Sequence, residues 1–323
     1  MLFRSLDGVS MSSSERDKHK VKIGLALGSG SARGWSHIGV IESLQANGIE
    51  PDIICGCSIG ALVGASYAAN KISALEDWVR SLSLFETARF ASLDTSFNGV
   101  INKDRLQKVL RQFIAEDSFS ISDLERPFAS VATELSSGRE IWIAEGSLLD
   151  AVWASISLPG LFPPVRHNNR WVVDGGLVNP VPISVCRALG ADFVIAVNLN
   201  GDLVGRHLDK PVSKSGPEKP PHWSDKIRRS LGGDAKQNAN IDEVDAKIPR
   251  VFETIAASIN IVQDRITRSR MVGEPPDILI TPELADIGLL EFYRATECIE
   301  EGKESVRRAL PEIERLLKKS SGL

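Results

Sequence analysis

Apolar residues in this chain come in short unbroken runs separated by stretches of helical period. Val21 to Leu27 (VKIGLAL) is one such run; it ends in glycines and predicts a strand buried on both faces. From about Arg33 the spacing turns helical, with Val40, Ile41 and Leu44 on one stripe and Asn47-Gly48 as the stop. Pro51 opens a second apolar run, Ile53 to Cys57, and a small-residue helix over Ile59 to Ala69 follows. Strand, helix, strand in this order make a βαβ unit with parallel pairing. The uncharged stretch Ile53 to Asn70 is near the length of a membrane span, but its glycines and serines divide it into a buried strand and a buried helix.

Further along, helical spacing covers Ala74 to Ser81 and Lys103 to Ile114. Phe128 to Thr133 and Glu140 to Ala144 are two strands joined around Ser137-Gly138. Leu148 to Ser155 is a helix stopped before Leu158-Pro159-Gly160, Trp171 to Val173 a short strand, and Phe193 to Asn198 another buried one. From Asp202 to Arg250 apolar periodicity disappears among Pro, Lys, Asp and Asn, which fits a mobile loop, a lid or a solvated linker. A helical stripe returns through Val251, Ile255, Ile259, Val262 and Ile266. Ile278 to Ile280 reads as an edge strand, and Phe292 to Leu317 as a final amphipathic helical region broken or kinked at Pro311. The organisation that follows is a flexible extension over 1–20, a main α/β domain over 21–200, a mobile loop or lid over 201–250, and a helical region over 251–323 packed on the same domain.

Composition narrows the function classes. The 323 residues carry a net charge of −4, so no basic excess points to nucleic acid or to strong attraction by anionic membranes. Met1 to Lys20 is polar and contains no signal-peptide run, and no transmembrane segment is expected. Cys55, Cys57, Cys186 and Cys298 show no zinc spacing and are read as reduced thiols of a cytoplasmic protein. No metal and no cofactor is expected.

The candidate chemistry lies in two glycine-bearing turns. Gly56-Cys57-Ser58-Ile59-Gly60 follows an apolar strand and opens a small-residue helix, the context of a nucleophile elbow; a tight turn with an incidental serine is the plain alternative. Gly28-Ser29-Gly30-Ser31-Ala32-Arg33-Gly34 ends the first strand and opens a helix, where backbone amides are free to bind an oxyanion. A dinucleotide fingerprint fails there in either register: Arg33 stands at the sixth position from Gly28, and read back from Gly34 the first two glycine positions hold Ser29 and Ser31. No histidine makes a convincing triad member: His19, His207 and His222 lie in polar segments, His167 in a polar turn, and His37 beside an apolar stripe as a core residue. Asp174, after a strand and before Gly175-Gly176, could act as a base directly or simply fix a turn.

Four blocks, GLALGSGSARGWSHIGVIESL (24–44), DIICGCSIGALVGASYAA (52–69), SISLPGLFPPV (155–165) and WVVDGGLVNPVPISVCRALGADFVIAV (171–197), resemble the patatin-like phospholipase family in their order and spacing, in its bacterial RssA-type branch. The resemblance implies a three-layer α/β/α fold with a mainly parallel central sheet and additional C-terminal helices. It also implies a Ser58–Asp174 dyad with Gly56 and Gly60 at the elbow and Gly175 and Gly176 at the base turn. Gly28, Gly30, Ser31, Arg33 and Gly34 would form the oxyanion loop, with Gly30 and Ser31 as donors and Arg33 holding the loop or offering charge. Ser29 and Ser31 depart from the family's glycines, and Ser31 would be strained if its backbone needs positive φ.

The activity so implied is hydrolysis of lipid acyl esters, phospholipid or lysophospholipid, through an acyl-serine. The place would be the cytoplasm or the inner face of the membrane, with transient contact at its surface and no oligomeric state indicated. Trp153, Leu158, Leu161 and Phe162 are candidates for an acyl channel, against the plainer reading as core. The alternatives are a low-turnover lipid-binding regulator on the same fold, acyl transfer to another acceptor, and a conventional hydrolase triad using His207 or His222.

Overall fold

A computed structural model describes residues 20–90, 103–201 and 251–320. Most of the extension expected over 1–20 and of the lid or loop expected over 201–250 lies outside the described residues.

The strands are β1 (Ile23–Leu27), β2 (Ile53–Cys57), β3 (Phe128–Glu134), β4 (Glu140–Ile143), β5 (Val165–His167), β6 (Arg170–Asp174), β7 (Phe193–Val197) and β8 (Ile278–Ile280). Strands β3, β2, β1, β7 and β8 are neighbours in that order and all parallel; β4, β5 and β6 join by antiparallel pairing. The apolar runs that predict fully buried strands are the parallel ones, as their helix-covered faces require.

The register around β3 decides where the chemistry lies. One edge of β3 pairs with β4 over Ser130–Thr133. Along the other edge β2 pairs as far as Cys57↔Val131, and β6 takes over at Asp174↔Ala132, running the opposite way. Strands β2 and β6 therefore abut end to end, and the residues at that junction are Ser58 and Asp174. The junction is at the carboxyl ends of the parallel strands, where open α/β sheets bind their ligands.

Period-2 alternation divides the apolar residues of the sheet between two cores. Leu25, Leu27, Ile54, Phe128, Phe193, Ile195 and Val197 join the larger core. Ala26, Ile53, Cys55, Ala129, Val131, Val194 and Ala196 join the smaller one. Helices α1 (Ser36–Ala46), α2 (Ile59–Ala68), α3 (Ile72–Ser81), α5 (Lys103–Phe113), α6 (Leu148–Ile156) and α9 (Ala295–Ser320) contribute to the larger core. Helix α7 (Ile183–Ala188) and Met271 of α8 (Val251–Gly273) cover the smaller one. The result is three layers, helix, sheet and helix.

Helix α9 packs most extensively on α1. A Cβ on Gly39 would overlap the carbonyl oxygen of Ile299, and one on Gly302 that of Ser36, so these two glycines set the distance between the helices. Among the described residues, the α-helices and strands that the sequence pattern does not predict are α4 (Leu84–Phe90), α7 and β5. The first two have six or seven residues, too few for a period to show. Strand β5 is three residues long and turns into β6 through Asn168 and Asn169 at φ 45° and 61°, a two-residue hairpin that the Asn-Asn pair could have announced. The break expected at Pro311 does not occur: α9 runs through it from Ala295 to Ser320. No described helix is long and apolar enough to cross a membrane.

Candidate active site

Ser58 follows the last residue of β2 and stands at the N-terminus of α2 with φ 56° and ψ −124°. Residues with side chains rarely adopt that conformation, and the surroundings must hold it. Its carbonyl accepts from the amides of Ala61 (2.9 Å) and Leu62 (3.2 Å). Its own amide donates to Ser155 Oγ at 2.9 Å. The turn is tight enough that a Cβ on Gly56 would overlap the backbone of Ala61, and one on Gly60 the carbonyl of Leu27.

The Ser58 hydroxyl donates to Asp174 Oδ2 at 2.5 Å, a charge-assisted distance. Asp174 is fully buried. Its Oδ1 accepts from the Gly176 amide at 2.7 Å, its amide donates to Ser157 O at 3.0 Å, and its carbonyl accepts from Thr133 Oγ1 at 2.8 Å. Burial pushes the carboxyl up from 3.8 to about 6, against the two hydrogen bonds that favour the anion. It is thus ionised at neutral pH and still basic enough to take a proton. Ser155 and Ser157, at the end of α6, hold the amides of Ser58 and Asp174. Sequence reasoning missed them, although the Ser-Ile-Ser spacing lies inside a block it had singled out.

The loop after β1 spends three of its amides on the fold. Gly28 donates to Val197 O (3.0 Å), Ser29 to Pro180 O (2.9 Å) and Ala32 to Leu289 O (3.1 Å). For the Gly30 and Ser31 amides no backbone acceptor is found among the described residues. Ser31 has φ 53°, the positive value for which a glycine would be the easier residue. Its hydroxyl donates to Leu289 O at 2.6 Å, and that of Ser29 to Gln263 Oε1 at 2.9 Å. Arg33 is buried; it donates through Nε to Gly30 O and through Nη2 to Asn260 Oδ1, both at 3.3 Å, and burial lowers it to about 10. Gly34 packs against Ile59, the residue after the candidate nucleophile.

His37 is the core residue the sequence suggested. Its Nε2 lies 2.8 Å from Gly28 O beneath the loop, and burial lowers it to about 4, so it stays neutral. His167 lies on the β5–β6 hairpin, with Asn168 as its hydrogen-bond partner. His19, His207 and His222 lie outside the described residues. All four cysteines are buried and free. Among the described residues no group of His, Cys, Asp and Glu is arranged to hold a metal.

Ser58, Ser29, Gly30 and Ser31 open into one cavity whose remaining wall is almost entirely apolar, including Leu62, Trp78, Leu106 and Val109. Of the four residues expected to line an acyl channel, Leu158, Leu161 and Phe162 do so. Trp153 does not: it lies behind the wall, edge-on to the Phe162 ring at 6.0 Å between centroids. Helix α8 and the segment up to α9 contribute Ile259, Asn260, Gln263, Leu289 and Phe292. The sequence pattern did not show that these residues reach the site.

Comparison with known proteins places the chain in a family. The model of the patatin-like phospholipase family matches residues 25–187. The chain is 28% identical to the uncharacterized NTE family protein Mb1092c of Mycobacterium bovis, over 93% of this chain and 94% of that protein. It is 31% identical to patatin-like phospholipase domain-containing protein 6 of Mus musculus over 55% of this chain and 13% of the mouse protein. Among solved structures it is similar to VipD from Legionella pneumophila, with TM-score 0.39 and 13% identity over 94% of this chain and 81% of that one. The chain belongs to the patatin-like phospholipase family, a membership that implies lipid-hydrolase activity.

Proposed function

We propose that the protein is a serine carboxylic-ester hydrolase acting on lipid acyl esters of the phospholipid or lysophospholipid type, with Ser58 as nucleophile and Asp174 as general base. The observation that carries this reading is the 2.5 Å hydrogen bond to a buried carboxylate from the hydroxyl of Ser58, a residue that opens into an apolar cavity. A single carboxylate then handles every proton. As Ser58 Oγ bonds to the ester carbon, its proton passes to Asp174 Oδ2, and the carbonyl oxygen becomes an oxyanion facing the Gly30 and Ser31 amides. When the tetrahedral intermediate collapses, the C–O bond to the alcohol breaks and Asp174 returns the proton to the departing oxygen. Water repeats the sequence on the acyl-Ser58 ester, giving its proton to Asp174, and Ser58 leaves reprotonated with release of the fatty acid. The acyl chain occupies the apolar cavity, and the polar part of the lipid lies against its polar lining residues, Ser29, Asn260 and Gln263. Residues 21–200 and 251–320 work as one catalytic unit, meeting lipid at a membrane surface.

Hydrolysis of short- and long-chain p-nitrophenyl esters by wild type and Ser58→Ala, with fluorophosphonate labelling in parallel, tests the reading. Label on Ser58 and loss of turnover in the variant support it. A folded wild type that neither labels nor turns over sinks it.

A further inference from the structure

The two serines that interrupt the glycine loop have a shared property: each hydroxyl is bonded to the C-terminal part of the chain. Ser29 Oγ donates to Gln263 Oε1 at 2.9 Å, and Ser31 Oγ donates to Leu289 O at 2.6 Å. Gln263 is buried on α8, and its Oε1 also accepts from Asn200 Nδ2 at 3.1 Å, beyond the end of β7. The other end of the same side chain, Nε2, lies against Gly176, so close that a Cβ there would overlap it. Gly176 is the residue whose amide holds Asp174 Oδ1. One side chain thus touches both halves of the site, the loop that carries the Gly30 and Ser31 amides and the turn that aims the base. It comes from a helix outside the stretch 25–187 matched by the family model.

Given the hydrolase reading above, on which this rests, we infer that Gln263 is a positioning residue for the reaction, acting through Ser29 to fix where the Gly30 and Ser31 amides point. The physical need is specific. Ser31 sits at φ 53°, so the loop does not hold its shape by backbone preference alone. An oxyanion donor is effective only when its direction is fixed before the charge develops. A hydroxyl-to-amide bond between two buried side chains supplies that constraint. The base turn is packed against the amide end, so loop and base are registered against one rigid group.

The test compares wild type, Ser29→Ala, Gln263→Met and the double variant in kcat, KM and fluorophosphonate labelling rate on a soluble short-chain ester, with thermal melting alongside. Positioning predicts that each single change lowers kcat and the labelling rate by about tenfold or more, with KM within about threefold. The double variant should be no worse than the poorer single one, since both changes cut the same link. Ser29→Ala removes one oxygen and keeps the backbone, so it reports even if Gln263→Met unfolds. Unchanged kcat and labelling in folded Ser29→Ala would overturn the inference, as would losses that multiply in the double variant. A wild type that leaves Ser58 unlabelled and the ester intact would instead overturn the hydrolase reading, and this inference with it.

Discussion

Ser58 and Asp174 each occupy a state that folding alone would not choose. Ser58 has a strained φ of 56°, and Asp174 is a fully buried carboxyl raised to about 6. Between about pH 4 and 6 the folded Asp174 keeps a proton that the unfolded chain has released, so its contribution to stability falls as pH rises through that window and stays lost above it. Asp174→Asn should therefore cut kcat by about a thousandfold or more and, at pH 8, raise unfolding stability by up to ~3 kcal/mol in urea titrations. Under the proposed mechanism only ionised Asp174 accepts the serine proton, so wild-type kcat/KM should climb on a single ionisation near pH 6 and level off above it. His37 works in the other direction. Buried and lowered to about 4, it refuses a proton that the unfolded chain accepts near 6.5, so stability falls with pH below that value. Asp174→Asn removes the opposing contribution and should make the protein lose stability more steeply than wild type between pH 6.5 and 4.5.

At the scale of elements, the α1–α9 contact depends on absent side chains. Gly39 and Gly302 face carbonyl oxygens of the opposite helix, so the clash from an added Cβ is with backbone, which cannot rotate away. Gly39→Val should leave little folded protein by circular dichroism, whereas Gly48→Ala, at an open helix end, should cost only about 1 kcal/mol from its φ of 71°. Pro311 lies inside α9 without ending it. The helix tolerates the lost amide bond because its apolar face, with Cys298, Ile299, Val306 and Ile313, is buried. Pro311→Ala should raise the melting temperature, by an amount reflecting about 1–3 kcal/mol.

Taken whole, the molecule surrounds one apolar cavity with both parts of its chain. Trp35 Nε1 donates to Phe292 O at 3.2 Å, and the Trp35 ring meets Trp78 and Phe292 edge-on. Trp78 in turn stacks on Phe113 at 5.2 Å, which gives the cavity a wall of rings. A chain ending at residue 250 would expose that wall and take away the partners of the Ser29 and Ser31 hydroxyls and of Arg33 Nη2. It should be insoluble or inactive, which expression and labelling of the truncation would check. An apolar wall of this extent also predicts that kcat/KM rises from acetyl to longer acyl esters, and that Trp78→Ala moves the optimum to longer chains, in a chain-length series on wild type and variant.

How much of this was legible in the sequence depended on whether a signal was local. The parallel strands appeared as apolar runs, with β2 over Ile53–Cys57 as read, because a strand buried on both faces has no polar positions to hide its limits. The two glycine-bearing turns showed themselves because backbone that needs positive φ or close approach leaves its mark in residue type. What no local pattern carries is which strand ends meet. Asp174 faces Ser58 only because β6 turns back along the same edge of β3 that β2 has just left, a matter of register between residues 116 apart. The same holds for Gln263, 234 residues from Ser29 and indistinguishable in sequence from any polar residue on an amphipathic helix. Local chemistry decided which residues were able to react; long-range packing decided which of them face one another.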